Sequence, residues 1–251
     1  MFEVSFIPAF KDNYIWLLTL GKRAVVVDPG DAAPVLARLD ADGLSLEGIL
    51  ITHHHADHQG GVAELVARGP VRVHAPGNES ITGCTHPLYG GETIEILGQP
   101  VTVMAVPGHT LGHLAYRADG VLFCGDTLFG AGCGRLFEGT AAQMSGSLGS
   151  IAALPDSTRV YCAHEYTEMN LRFALAVEPG NLALQARVAR VASLRAAGLP
   201  SVPSALGEEK ATNPFLRCSE PAVIEAALRH GATARDSVSV FAAIRGWRNS
   251  F

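Results

Sequence analysis

Residues 52–58 read Thr-His-His-His-Ala-Asp-His, so four of the chain's ten histidines and one aspartate crowd into little more than one turn. A packed core cannot satisfy four imidazoles and a carboxylate in so short a span without orphaning polar atoms. The cluster reads as metal ligands, with a pH-sensing or purely structural cluster as the alternative. In extended chain His53 and His55 point the same way while His54 faces elsewhere, and Asp57 with His58 addresses a second point nearby. Three further ligand-type residues stand just past apolar runs. They are His109 in Pro107-Gly108-His109-Thr110, Asp126 in Cys124-Gly125-Asp126-Thr127 and His164 in Cys162-Ala163-His164-Glu165. Five histidines and two aspartates exceed what one tetrahedral ion takes and suit two ions sharing a carboxylate.

Strands must hold these residues. Short apolar runs at 14–20, 24–27 and 48–51 predict buried strands, the second stopped by Asp28-Pro29-Gly30. Further strands are expected at 71–75, 93–97, 101–106, 113–117, 121–124 and 159–162. His109, Asp126 and His164 then lie beyond strand C-terminal ends, where the loops of an α/β sheet gather into a site. Helical patterns fall at 33–39, 60–68 and 141–154, the last opened by Thr140 and Gln143 at capping-box spacing. Past residue 166 the strand signal disappears. Helices are expected at 168–177, at 182–197 with Leu184, Val188 and Val191 on one face, at 222–230 and at 237–247. A Pro- and Gly-punctuated connection spans 199–217. The division that follows is an α/β catalytic domain over 1–168 and a helical domain over 169–251.

Composition narrows the class. With 251 residues, 48% apolar and 17% charged, the chain can bury a large core and is not a disordered tail. Cys84, Cys124, Cys133, Cys162 and Cys218 are odd in number, widely spaced and free of any C-x-x-C pair. That predicts reduced thiols in the cytoplasm. The N-terminus lacks the basic and apolar regions of a secretory signal, and no run approaches 18 apolar residues, so no membrane association is expected. The net charge of −5 disfavours a nucleic-acid partner. Its distribution is uneven: residues 1–166 carry 9 basic and 17 acidic side chains, net −8, and residues 167–251 carry 10 and 7, net +3. A monomer acting on a small molecule is expected.

The pattern His53-x-His55-x-Asp57-His58, followed by His109, Asp126 and His164, resembles the metallo-β-lactamase superfamily, which implies an αββα sandwich with a two-metal site at one edge. A finer resemblance, to the glyoxalase II family of hydroxyacylglutathione hydrolases, rests on segments along the whole chain. These are Ile7-Pro8-Ala9-Phe10, Asp12-Asn13-Tyr14, Val27-Asp28-Pro29-Gly30, Cys133 through Thr140, His164-Glu165-Tyr166-Thr167, Asn213-Pro214-Phe215 and Arg245-x-x-Arg248. The resemblance implies that His53, His55 and His109 hold one divalent ion, Asp57, His58 and His164 the other, and Asp126 both. Zinc is the first expectation, and nitrogen and oxygen donors also admit iron or manganese. The implied reaction is hydrolysis of the thioester S-D-lactoylglutathione to D-lactate and glutathione, the last step of methylglyoxal detoxification.

In that reaction two ions acidify a shared water, and Asp57 would orient the resulting hydroxide. Arg135, Tyr166, Arg245 and Arg248 are the implied substrate-binding residues; without the resemblance, the last two read as a helix C-terminus neutralised by cations. Asp28 either supports a ligand or caps a turn. His54, His74, His86, His113 and His230 are expected to be core or solvent histidines, and Cys133 and Cys162 show no base partner. Arg135 and Arg248 stand where eukaryotic relatives carry lysine, Phe137 where they carry tyrosine, and Ala56 where an aromatic is common. A one-iron persulfide dioxygenase and a lactonase of the same superfamily are the alternatives, the first disfavoured by the complete second ligand set. No G-x-S-x-G elbow supports a serine mechanism.

Overall fold

The computed structural model describes residues 2–251; Met1, with which the N-terminal domain expectation begins, lies outside them. The chain packs as two compact units. The first runs through Ala105 and adds Thr110–Gly125; the second comprises Val106–His109 with Asp126–Phe251.

In the first unit, β1 (Glu3–Ala9), β2 (Asn13–Leu20) and β3 (Arg23–Val27) form an antiparallel meander. Helix α1 (Ala32–Asp42) carries the chain to β4 (Ser45–Leu50), which lies parallel to β3. Asp31 caps α1 by accepting from Ala33 N, and Gly43 closes it at φ 61°, a left-handed position that glycine adopts without strain. Two short helices, α2 (Ala56–Gln59) and α3 (Val62–Val66), precede β5 (Arg72–Pro76) and the edge strand β6 (His86–Leu88). Ile15, Leu17, Val26, Val35, Ile49, Ile51 and Val73 form the buried core between this sheet and its helices. A second, antiparallel meander follows: β7 (Thr93–Ile96), β8 (Gln99–Ala105), β9 (Leu114–Ala118) and β10 (Val121–Gly125). Tyr116 on β9 ties the sheets together, since its buried hydroxyl donates to Ile51 O at 2.6 Å.

Of the 60–68 pattern only Val62–Val66 is α-helical, as α3, and the two glycines at its start stay outside the helix. Gly60 and Gly61 separate it from α2 because the chain at Gly30–Ala32 passes too close for any side chain. A Cβ on Gly60 would stand 2.6 Å from Gly30 O, and one on Gly61 2.6 Å from Ala32 N. Glycine here permits backbone approach, and the approach fixes where α2 ends and α3 begins.

The second unit opens with the hairpin β11 (Leu128–Phe129) and β12 (Gly132–Cys133), then α4 (Ala141–Ala152), whose Thr140–Gln143 capping box forms as its sequence predicts. Strand β13 (Arg159–Cys162) leads to the helices α5 (Thr167–Val177) and α6 (Leu182–Ala196). Leu184 and Val191 on α6 are buried with Leu171 and Ala174 of α5, and Val188 packs against them. Helices α8 (Pro221–Arg229) and α9 (Ser237–Ser250) complete the unit. Phe173, Phe215, Phe241 and Trp247 meet edge to face or stacked, at centroid distances of 5.0–6.0 Å.

The 199–217 connection is more ordered than its composition suggests. It holds β14 (Ser204–Ala205), a short strand past residue 166, then α7 (Leu206–Thr212) and a 3-10 turn at Pro214–Leu216. Glu209 on α7 is wholly buried, paired with Arg187 of α6, and accepts from Ala131 N at 2.8 Å. Asn213 Nδ2 donates to Phe129 O and Gly132 O at 3.2 and 2.9 Å. These polar groups clamp the β11–β12 turn, where Ala131 takes a left-handed φ of 53°. Among the described residues, no helix is long and apolar enough to cross a membrane.

Candidate metal centre

Strand β4 is buried at its C-terminal end and delivers Thr52 and His53 into the interior of the first unit. His53 Nδ1 lies 3.0 Å from Thr52 Oγ1, which commits that nitrogen and turns Nε2 outward, 3.0 Å from His55 Nδ1. One turn later His58 Nδ1 lies 3.0 Å from Asp28 Oδ2. The same Asp28 accepts from Thr52 N and Thr52 Oγ1, both at 2.8 Å. One buried carboxylate thus fixes the tautomer and aim of His58 and the backbone entering His53, the arrangement that makes a metal-ligating imidazole more basic and more rigid. Asp28 therefore holds both His58 and Thr52. Asp57 Oδ2 stands 3.5 Å from His58 Nε2 and accepts from Asn13 Nδ2 at 3.0 Å.

In the second unit Asp126 is the centre of a symmetric arrangement. Its Oδ2 lies 3.4 Å from His109 Nε2 and its Oδ1 lies 3.4 Å from His164 Nε2. His109 is aimed by the backbone carbonyl of Arg135, 2.8 Å from Nδ1. The ring of His164 stacks on Tyr166, with centroids 4.7 Å apart and planes within 5°. Gly134 is required beside them, because a Cβ there would stand 1.9 Å from Asp126 O.

These spacings test whether ions fit. Two donors on one tetrahedral ion at roughly 2.0–2.1 Å are about 3.4 Å apart. The His109–Asp126, His164–Asp126 and His58–Asp57 separations of 3.4, 3.4 and 3.5 Å match that edge and exceed a normal N–H···O hydrogen bond. Donors held at ligand spacing fit divalent ions. His53, His55, Asp57 and His58 of the first unit, and His109, Asp126 and His164 of the second, are all among the residues with donors able to hold an ion.

The four residues expected to bind substrate all belong to the second unit. Arg135 is exposed, with its guanidinium carbon 5.4 Å from the centroid of the Phe137 ring. Arg245 is buried on α9, donating to Cys133 O and to Asn249 Oδ1, both at 3.0 Å. Arg248, one turn on, is half-buried and donates to Asn170 Oδ1 at 3.4 Å. Burial, with Arg245 adjacent, lowers its pKa from the ordinary arginine value. Among the described residues, no carboxylate pairs with either arginine. Tyr166 is half-buried over His164.

Sequence reasoning missed Thr52 and Asn13 as supports, although Asn13 sits in the Asp12-Asn13-Tyr14 segment that carries part of the family resemblance. The thiols stay out of the chemistry: burial pushes Cys162 up to about 12 and raises Cys133, so both remain protonated at neutral pH. All five cysteines are unbridged. His113 stacks on His53, with centroids 4.7 Å apart, and His230 stacks on Trp247.

Comparison with known proteins agrees with this geometry. Residues 10–164 match the family described as "Metallo-beta-lactamase superfamily", and residues 165–251 match "Hydroxyacylglutathione hydrolase C-terminus". The chain is 75% identical to the hydroxyacylglutathione hydrolase of Dechloromonas aromatica and 58% identical to that of Methylobacillus flagellatus, over 100% of each chain in both cases. Among solved structures, ETHE1 from Myxococcus xanthus superposes with a TM-score of 0.68 at 22% identity, covering 100% of this chain and 99% of that one, a likeness of fold. With its αβ fold, helical C-terminal region and His/Asp set of a dinuclear metal site, the chain belongs to the hydroxyacylglutathione hydrolase family of the metallo-β-lactamase superfamily.

Proposed function

We propose that the chain hydrolyses S-D-lactoylglutathione to D-lactate and glutathione. The observation that carries this reading is the match along the entire chain to hydroxyacylglutathione hydrolases, with every expected ligand type in place. We assign His53, His55 and His109 to one divalent ion, Asp57, His58 and His164 to the other, and Asp126 to both, as the residues that would hold them. Zinc, iron and manganese all suit these nitrogen and oxygen donors. When bound, the ions acidify a water and act as Lewis acids toward the thioester carbonyl.

The chain's own residues do the rest. The Asp57 carboxylate, steadied by Asn13, would accept a hydrogen bond from the attacking hydroxide and orient it at the carbonyl carbon. Collapse of the tetrahedral intermediate expels a thiolate, a leaving group stable enough to need no strong general acid. Arg248 and Arg245 share one face of α9 and lack acidic partners among the described residues, which suits them to a carboxylate of the glutathione moiety. Arg135 adds charge from the loop after Asp126, and Tyr166 supplies a hydroxyl for the tripeptide backbone. The five unbridged thiols support a cytoplasmic setting. The full complement of second-ion ligands favours hydrolysis over a one-iron dioxygenase. We place the functional boundary at 168/169, between the metal-binding part and the helical substrate-binding part.

The deciding experiment measures hydrolysis of S-D-lactoylglutathione, other glutathione thioesters, a lactone and a β-lactam on one sample of known metal content. Preference for the glutathione thioester with close to two ions per chain is expected. Preference for the lactone or β-lactam overturns the reading. For the clamp, Arg248→Ala is expected to weaken substrate binding by about 1.5–3 kcal/mol, roughly 10- to 100-fold in KM, with kcat little changed. An unaltered KM removes Arg248 from the clamp.

A further inference from the structure

Glu79 lies outside every motif in the sequence, on the loop between β5 and β6, yet its side chain is only 4% exposed. Its carboxylate is occupied by donors from two other segments. Oε2 accepts from His54 N at 2.6 Å and lies 3.0 Å from His54 Nδ1. Oε1 accepts from Thr110 Oγ1, and from Gly112 N at 3.0 Å. The approach is tight: a Cβ on Gly112 would stand 2.6 Å from Glu79 Cγ.

His54 is the residue between His53 and His55, and its peptide is gripped on both sides. Glu79 takes its N–H, and Gln59 Nε2 donates to its carbonyl. Gln59 also donates to Ser80 O at 3.2 Å and accepts from Thr82 N at 2.9 Å, which locks the Glu79 loop to α2. Rotation of the His54 peptide would swing both neighbouring imidazoles, whose nitrogens now stand 3.0 Å apart. Thr110 directly follows His109 in sequence and Gly112 is three residues beyond it, so one carboxylate holds the chain close to three of the assigned ligands. A buried carboxylate costs several kcal/mol unless fully hydrogen-bonded. Here four donors meet it, and all of them belong to ligand-bearing segments.

We infer that Glu79 is a positioning residue, which with Gln59 clamps the His54 peptide and thereby sets the spacing of His53 and His55 for their ion. The inference rests on the assignment of His53 and His55 as ligands. The His54 ring and both ends of its peptide take part in the clamp.

The test is zinc binding to metal-free wild type, Glu79→Gln and Gln59→Ala, titrated against a competing chromophoric chelator, with thermal unfolding and steady-state kinetics on the same samples. Glutamine at 79 keeps one acceptor but sets an NH2 against N–H donors. Glu79→Gln is expected to hold one zinc as wild type does and the other about 10- to 100-fold more weakly, the usual cost of removing an outer-shell support. At limiting zinc kcat falls and KM does not. Gln59→Ala moves the same zinc step in the same direction, by less, and carries the test should Glu79→Gln fail to fold. The two substitutions together are less than additive, because they act on one peptide. Two zinc ions bound as tightly as in wild type, with only the melting temperature lowered, overturn the inference. A His53→Ala variant that retains both zinc affinities overturns the ligand assignment itself, an outcome distinct from failure of the clamp.

Discussion

Asp57→Asn lowers turnover of S-D-lactoylglutathione by about 10²- to 10⁴-fold while leaving KM within a few-fold of wild type, the range expected when the carboxylate proposed to orient the nucleophile is lost. The substitution is nearly isosteric, and the asparagine oxygen still accepts from Asn13 Nδ2, so the local hydrogen bond survives. What disappears is the charge proposed to orient the hydroxide and the second carboxylate oxygen beside His58. The split between kcat and KM is the informative quantity, because the substrate clamp is assigned to other residues: Tyr166 at the start of α5, Arg245 and Arg248 on α9, and Arg135. Single-turnover and steady-state rates on the purified variant, with metal content determined, check it. A kcat within about threefold of wild type removes Asp57 from the chemistry.

Removing the ions has the larger effect. Dialysis against a strong chelator is expected to abolish thioester hydrolysis, and addition of zinc, iron or manganese to restore it. The same treatment lowers stability. A ligand that binds only the folded chain contributes RT ln(1 + [L]/Kd), about 4 kcal/mol at a thousandfold excess over Kd. The physical reason is visible in the ligand spacing: imidazoles and carboxylates fixed at 3.0–3.5 Å are arranged for a shared cation, and without one they keep their desolvation cost and lose its compensation. A calorimetric scan before and after chelation reads the shift. Unchanged activity in metal-free protein defeats the hydrolytic mechanism as a whole.

The ligand types were legible in the sequence because metal binding packs its residues densely, and Thr52–His58 leaves little room for another reading. The strands that carry them were legible for a different reason: runs such as 24–27 and 48–51 are β-branched and apolar, and burial on both faces demands that. Support of the ligands was harder to see. Asp28 stands 24 residues before Thr52 and 30 before His58, and nothing local distinguishes a carboxylate that aims an imidazole from one that turns a chain. Glu79 is 25 residues from His54 and occupies a polar loop where a solvated glutamate is the natural expectation. Glu209 misleads in the same way. It reads as a surface charge in a short irregular stretch, yet it is buried against Arg187, and its helix exists because that pair and Asn213 hold the β11–β12 turn. Long-range polar contacts leave no periodicity, so helix α7 was missed while the amphipathic α6 was not. The break at Gly60–Gly61 belongs to the same class, since its cause is backbone at Gly30–Ala32, remote in sequence.

His109 takes its orientation from the main-chain carbonyl of Arg135, whose guanidinium meanwhile points elsewhere, over Phe137. Any amino acid supplies that oxygen. With Arg135 in the proposed clamp and His109 a proposed ligand, mutation at position 135 would retune which thioesters are accepted and leave the aim of His109 unchanged, a dial for selectivity mechanically insulated from the site beside it.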